Sequence, residues 1–151
     1  MKLYNSLILI AFAIFSISIT AEVNHSKVIS QDVALKLSDY GFFTNLSKQI
    51  PTDGVLPYDL NSALFSDYAD KLRFVYVPAG GFAEYHPDEV FDFPTGSVLI
   101  KTFAYLNDFP ESELDAQLLE TRLLIRHDDG WKNVSYIWNK EQTDAYKSIA
   151  G

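Results

Sequence analysis

Residues 119–138 hold the pattern that most restricts what this chain can become. Leu119, Thr121, Leu123, Ile125 and His127 alternate with Glu120, Arg122, Leu124 and Arg126, the two-residue period of a strand with one face in the core and one outside. Asp128-Asp129-Gly130 follows as a turn, since Asp tolerates unusual backbone angles and Gly takes positive φ without steric cost. Residues 131–138 then run back, which makes the stretch a β-hairpin.

Other segments show the same period. In residues 71–77, Leu72, Phe74 and Tyr76 oppose Lys71, Arg73, Val75 and Val77; in residues 96–106, Val98, Ile100 and Thr102 oppose Leu99, Lys101, Phe103 and Tyr105. A weaker strand is expected over 82–85. Eleven Phe, nine Tyr and two Trp in 151 residues suit pleated, half-buried surfaces better than a helical bundle. Ser30 and Asp32 mark the start of a short helix with Val33, Leu37 and Tyr40 inward, ended by Gly41. Asn139 and Gln142 have the spacing of a helix cap and its reciprocal partner, predicting a terminal helix over 140–149. Residues 42–56 connect, residues 60–68 form either a helical turn or a loop, and residues 107–115 form an acidic loop. The expected fold is mainly β, a small antiparallel β-sandwich or strongly curved sheet with short flanking helices. Its divisions are a leader at 1–21, an N-terminal helix and connecting segment at 22–56, and a β-rich domain at 57–151.

A formal charge of −8 and a pI near 4.7 argue against nucleic acid as partner, because that affinity comes from clustered Lys and Arg and the basic residues are scattered along the chain. Without Cys there is no disulfide, no thiolate metal site and no thiol catalysis within these residues. Lys2 followed by the uncharged apolar run at 7–19 reads as a signal peptide that ends at Ala21. The run is shorter than the ~20 residues that a spanning helix needs, so no stable membrane anchor is expected after cleavage.

The side chains that stand out chemically are charges placed among apolar strand residues: Lys71, Arg73, Lys101, Glu120 and Arg122. They either face water or form a partly buried ion network, and simple alternation favours water. Asp67 joins Glu120 as a conceivable carboxylate pair for acid/base hydrolysis. Trp138, with Tyr76, Tyr105 and Tyr136, is a candidate for stacking on a sugar if the rings reach solvent. His25, His86 and His127 lack ligand spacing, so no metal is assigned. Neither a nucleophile elbow nor a phosphate loop is present.

The blocks at 57–61 (PYDLN), 64–71 (LFSDYADK), 91–94 with 96–103 (FDFP, GSVLIKTF), 120–139 and 141–145 (EQTDA) together resemble a family of secreted bacterial proteins, over about residues 30–151. The genes of that family look to be paired with parallel β-helix repeat proteins, and some relatives resemble c-type cytochromes. The resemblance implies a periplasmic or secreted module, the N-terminal part of a longer redox protein that continues to a C-x-x-C-H segment. Haem then belongs only to a longer product, and no cofactor is expected within these residues. A fainter likeness, over 93–101 and Gly130-Trp131, is to cytochromes whose β-sheet carries a haem-linked Lys, and it points to Lys101.

Two functions follow as expectations: a non-catalytic extracytoplasmic β module of such a redox protein, or a carbohydrate- or protein-binding β module that works with a β-helix partner or another periplasmic protein. An acid/base hydrolase is the third. The leader makes the first testable statement: mature protein begins near Glu22, and its intact mass after export checks this. A full-length species retained in the membrane would contradict it.

Overall fold

A computed structural model describes residues 21–62, 69–106 and 116–148. The expected leader up to residue 20, the stretch at 63–68 with Asp67, the acidic loop at 107–115 and residues 149–151 lie outside the described residues.

Six strands, β3 (Val55–Pro57), β4 (Asp70–Tyr76), β5 (Val98–Leu106), β6 (Ala116–His127), β7 (Gly130–Trp138) and β8 (Ala145–Lys147), form one antiparallel sheet in chain order. Two short strands before them, β1 (Phe43–Asn45) and β2 (Ile50–Pro51), pair with each other. The fold is therefore mainly β and antiparallel, as the alternation predicts. The strand faces agree as well. Phe74, Tyr76, Val98, Ile100, Leu123, Ile125, Val134 and Tyr136 are buried on the inner face, where Val28, Leu37, Tyr40, Phe42 and Phe43 of the N-terminal segment join the same core.

Aromatic packing fastens the N-terminal layer to the sheet. Phe43 meets Phe74 edge-on at 5.0 Å, and Tyr40 stacks on Phe42 at 5.2 Å. Tyr136 donates its hydroxyl proton to the Ala34 carbonyl at 2.9 Å, so Tyr40 must be the donor in the 3.0 Å contact between the two hydroxyls, and the Ala34 N–H donates back to Tyr40 at 3.3 Å. Burial raises the pKa of both tyrosines. The closed ring of bonds leaves neither hydroxyl unsatisfied.

A second polar chain crosses the centre of the sheet. Trp138 Nε1 donates to Thr121 Oγ1 at 3.0 Å, and Thr102 Oγ1 donates to Gln49 Oε1 at 2.7 Å. The 2.8 Å bond between the two threonines must then run from Thr121 to Thr102. Gln49 passes its own amide proton to the Leu46 carbonyl at 2.7 Å.

Both expected helices are corrected. Instead of one helix from Ser30, the segment has a four-residue helix, α1 (His25–Val28), capped by Asn24, and a separate 3-10 turn at Leu37–Tyr40. The stretch between bends without forming a helix, and its end is tied to the sheet edge, where the Lys147 N–H donates to the Leu35 carbonyl and extended Lys36 bridges to Tyr146. Leu37 and Tyr40 still point inward and Gly41 still ends the turn, with φ of 68° and the Glu22 carbonyl only 2.7 Å from where a Cβ would sit.

At the other end, residues 139–144 form a tight loop and the chain returns as β8 rather than as a helix. Asn139 Oδ1 accepts from the Thr143 N–H at 2.9 Å, and Gln142, at φ of 55°, pairs with the backbone of Leu118 in both directions. The side chains that look like a capping pair thus cap a loop and a strand.

One face assignment also changes. Phe103 pairs with Glu120 but Ala104 pairs with Leu118, so Leu119 is the extra residue of a bulge, and it is Leu118 that is buried. Beyond the bulge the original parity holds. Leu123→Asp should prevent folding, because an unpaired charge in the core costs several kcal/mol, whereas Leu124→Gln, next along the strand but 40% exposed, should melt close to wild type. Circular dichroism melts of the two variants check this, and the opposite order of sensitivity would mean that the faces are inverted.

Candidate functional site

The outer face of the sheet is built by the residues between the core positions. Register places Arg73 of β4 opposite Lys101 of β5, and Lys101 opposite Arg122 of β6. Three cations stand side by side on three neighbouring strands, each pair separated by about 5 Å of sheet. Like charges in direct opposition destabilise a sheet. No single strand's pattern displays this row, because each contributes one basic residue; only the register gathers them.

Each cation has a different setting. Arg122 makes a two-pronged bond to Glu120 on its own strand, Nε to Oε1 and a terminal nitrogen to Oε2, both 2.9 Å. That bond is the main cause of the lowered Glu120 pKa, and it raises that of Arg122. A carboxylate held ionised in this way is poorly suited to act as a general acid. Arg73 is nearly covered, its side chain 9% exposed, with one nitrogen 3.6 Å from Asp59 and 3.1 Å from the Lys71 carbonyl. Lys101 Nζ lies 5.1 Å from the centre of the Phe103 ring, which the Arg122 guanidinium also faces at 4.9 Å. A ring face attracts a cation weakly at such range. Among the described residues Lys101 has no ion pair or hydrogen bond to its ammonium group. Burial, then the charges of Arg122, Lys71 and Arg73, push its pKa down.

One step along the strands from Lys101 and Arg122 come Leu99 and Leu124, paired with each other. They form the floor of an apolar groove of about 680 Å³ whose walls are Val90, Phe91, Phe93 and Trp131, with Glu89 at the rim. The loop after β4 supplies Val90, Phe91 and Phe93, and β7 supplies Trp131. Glu84 and Asp92 exchange backbone hydrogen bonds at 2.8 and 3.0 Å, a single bridge where a strand over 82–85 is expected, and this bridge returns the chain so that Phe93 meets Trp131 edge-on at 5.9 Å. Arg126 ties loop and sheet together: its Nε donates to the Phe93 carbonyl at 3.4 Å, and its guanidinium lies 3.9 Å from Asp92 and 5.9 Å from the Trp131 ring.

The structure thus gathers Lys71, Arg73, Lys101, Glu120 and Arg122 on one face. Trp138 is elsewhere: it is buried on the inner face and donates to Thr121. Tyr76 and Tyr136 are also interior, and of the four rings considered for stacking only Tyr105 is exposed. Asp67 lies outside the described residues. The ring platform is instead Phe91, Phe93 and Trp131, which alternation does not single out because two of them belong to a loop. Among the described residues no cluster of three His, Asp or Glu side chains is placed to hold a metal ion, and no helix is long and apolar enough to cross a membrane.

Comparison with protein-family models, with curated proteins and with solved structures finds no match.

The setting of Lys101 gives a pH prediction. Its pKa is lower in the folded protein than in the unfolded chain, so between those two values the unfolded chain holds the extra proton and stability rises with pH. Below both values the ammonium exerts its full destabilising effect. Lys101→Met keeps the stem and removes the charge; it should raise Tm at neutral pH, with the gain shrinking as pH climbs through the lysine range. Thermal melts across that range check it, and a gain independent of pH would show that neither burial nor the neighbouring charges disfavour the ammonium of Lys101.

Proposed function

We propose that this protein is an extracytoplasmic, non-catalytic β module that binds an anionic ligand or partner on the outer face of its sheet. The observation that carries the reading is the row Arg73, Lys101, Arg122 in direct register within a chain of net charge −8. An opposed row of like charges is costly without a counter-charge. Glu120 answers Arg122 and Asp59 approaches Arg73, which leaves Lys101 as the group with the most to gain from an incoming anion. Sugar stacking through Tyr76, Tyr136 and Trp138 has no support, since those rings are interior. The family resemblance suggests a periplasmic setting for that ligand or partner.

Dextran sulfate supplies a simple test, because an acidic protein is repelled by a polyanion unless it has a local cationic face. At low salt the protein should be retained on a dextran sulfate column and released as salt rises, and the double variant Lys101→Gln, Arg122→Gln should flow through. Equal retention of the variant, or no retention of either protein, would overturn the reading.

A further inference from the structure

We infer that the ligand of this face is a small anionic amphiphile, whose aromatic or alkyl body lies in the groove floored by Leu99 and Leu124 and whose carboxylate, sulfonate or phosphate head meets Lys101 and Arg122. The inference rests on the anion-binding reading above and adds the nature of the ligand.

Position makes the case first. Leu99 and Lys101 are two residues apart on the same face of β5, as are Arg122 and Leu124 on β6. Two residues of strand span about 7 Å, so the cationic row borders the groove directly. A molecule with a ring or short chain on the leucine floor would have its polar end at the ammonium of Lys101 without leaving the sheet.

Size and lining agree. About 680 Å³ falls within the range of roughly 300–1,000 Å³ common for small-molecule sites. Apart from Glu89 at the rim, the lining is aliphatic and aromatic, and much of it is open to solvent: Phe91 is 52% exposed and Trp131 42%. Exposed apolar surface gathered into a groove is what a ligand's apolar body covers.

Charge sets the orientation. At the Trp131 end, Arg126 is already engaged with Asp92 and the Phe93 carbonyl, and the rim carries Glu89, so an anionic head is not favoured there. At the other end stands Lys101, whose ammonium has no ion pair or hydrogen bond among the described residues, between Arg73 and an Arg122 that Glu120 already holds on one side. An amphiphile would therefore enter apolar end towards Trp131 and anionic end towards Lys101.

Naphthalene-2-carboxylate is a suitable probe, with neutral naphthalene-2-methanol and acetate as its two halves. Trp131 lies in the groove and Trp138 in the core, so ring binding should change the fluorescence of the first. Titration calorimetry and tryptophan fluorescence should show naphthalene-2-carboxylate binding at least about tenfold more tightly than either half, a gap of about 1.4 kcal/mol. Lys101→Gln should bring it to the level of the neutral alcohol, and Leu124→Ser or Phe91→Ser, at exposed positions, should bring it to the level of acetate. If the protein is retained on dextran sulfate through Lys101 and Arg122 but the groove variants change nothing, the amphiphile inference falls and anion binding stands. If the alcohol binds as well as the carboxylate, the groove is apolar only and the inference also falls. If neither polyanion nor probe binds, both readings fail together.

Discussion

Trp138, Thr121 and Thr102 on the inner face of the sheet and Gln49 packed over them form a hydrogen-bonded chain in which the direction of each bond is determined. Trp138 can only donate, the Gln49 oxygen can only accept, and Thr121 and Thr102 must pass the bond along between them. Such a chain is satisfied in one register alone. A slip of one residue between β5 and β6 would turn every side chain of a strand to the other face, and would leave buried hydroxyls without partners at a cost of about 1–3 kcal/mol each. The polar relay is small beside the hydrophobic core, but it discriminates between pairings that the core alone would tolerate.

The outer face follows from that lock. Thr102 pairs with Thr121, so their chain neighbours Lys101 and Arg122 must also pair, one on each strand and pointing the other way. The cationic row is the reverse side of the buried threonine pair. For the same reason Leu99 and Leu124 fall together as the floor of the groove, because they are two residues further from the same register point. Core specificity and site geometry are thus one constraint seen from two faces of a sheet.

This also explains what could be read from the sequence and what could not. Alternation within a strand is a local property: it puts Leu123 and Ile125 in the core, and it groups Phe74 with Tyr76 and Ile100 with Val98 on faces that are buried. Leu119 departs from the alternation because a bulge is a mismatch between two strands and leaves no mark on one. The two expected helices failed where tertiary hydrogen bonds outcompeted local preference: β8 takes the backbone of Leu35, and Leu118 takes the side chain of Gln142. Lys71, Arg73, Lys101, Glu120 and Arg122 stood out one at a time as charges among apolar residues, yet their chain positions looked scattered, since adjacency across strands is set by pairing rather than by sequence distance. The groove was hidden further, as half of it comes from a loop whose course depends on one bridge between Glu84 and Asp92.

Charged residues beside an exposed apolar groove have an ordinary purpose as well, which is to keep such a surface from sticking to others of its kind. That purpose accounts for charge on the outer face but not for its sign. In a chain with 20 acidic and 12 basic residues, acidic side chains at these positions would have kept the protein at least as soluble. Alternating acidic and basic side chains across the three strands would also have avoided like charges in register. Solubility has no use for three cations in a row, one of them nearly covered and one with its pKa depressed. The proposed anion would supply their counter-charge, and the groove beside the row would seat its apolar body.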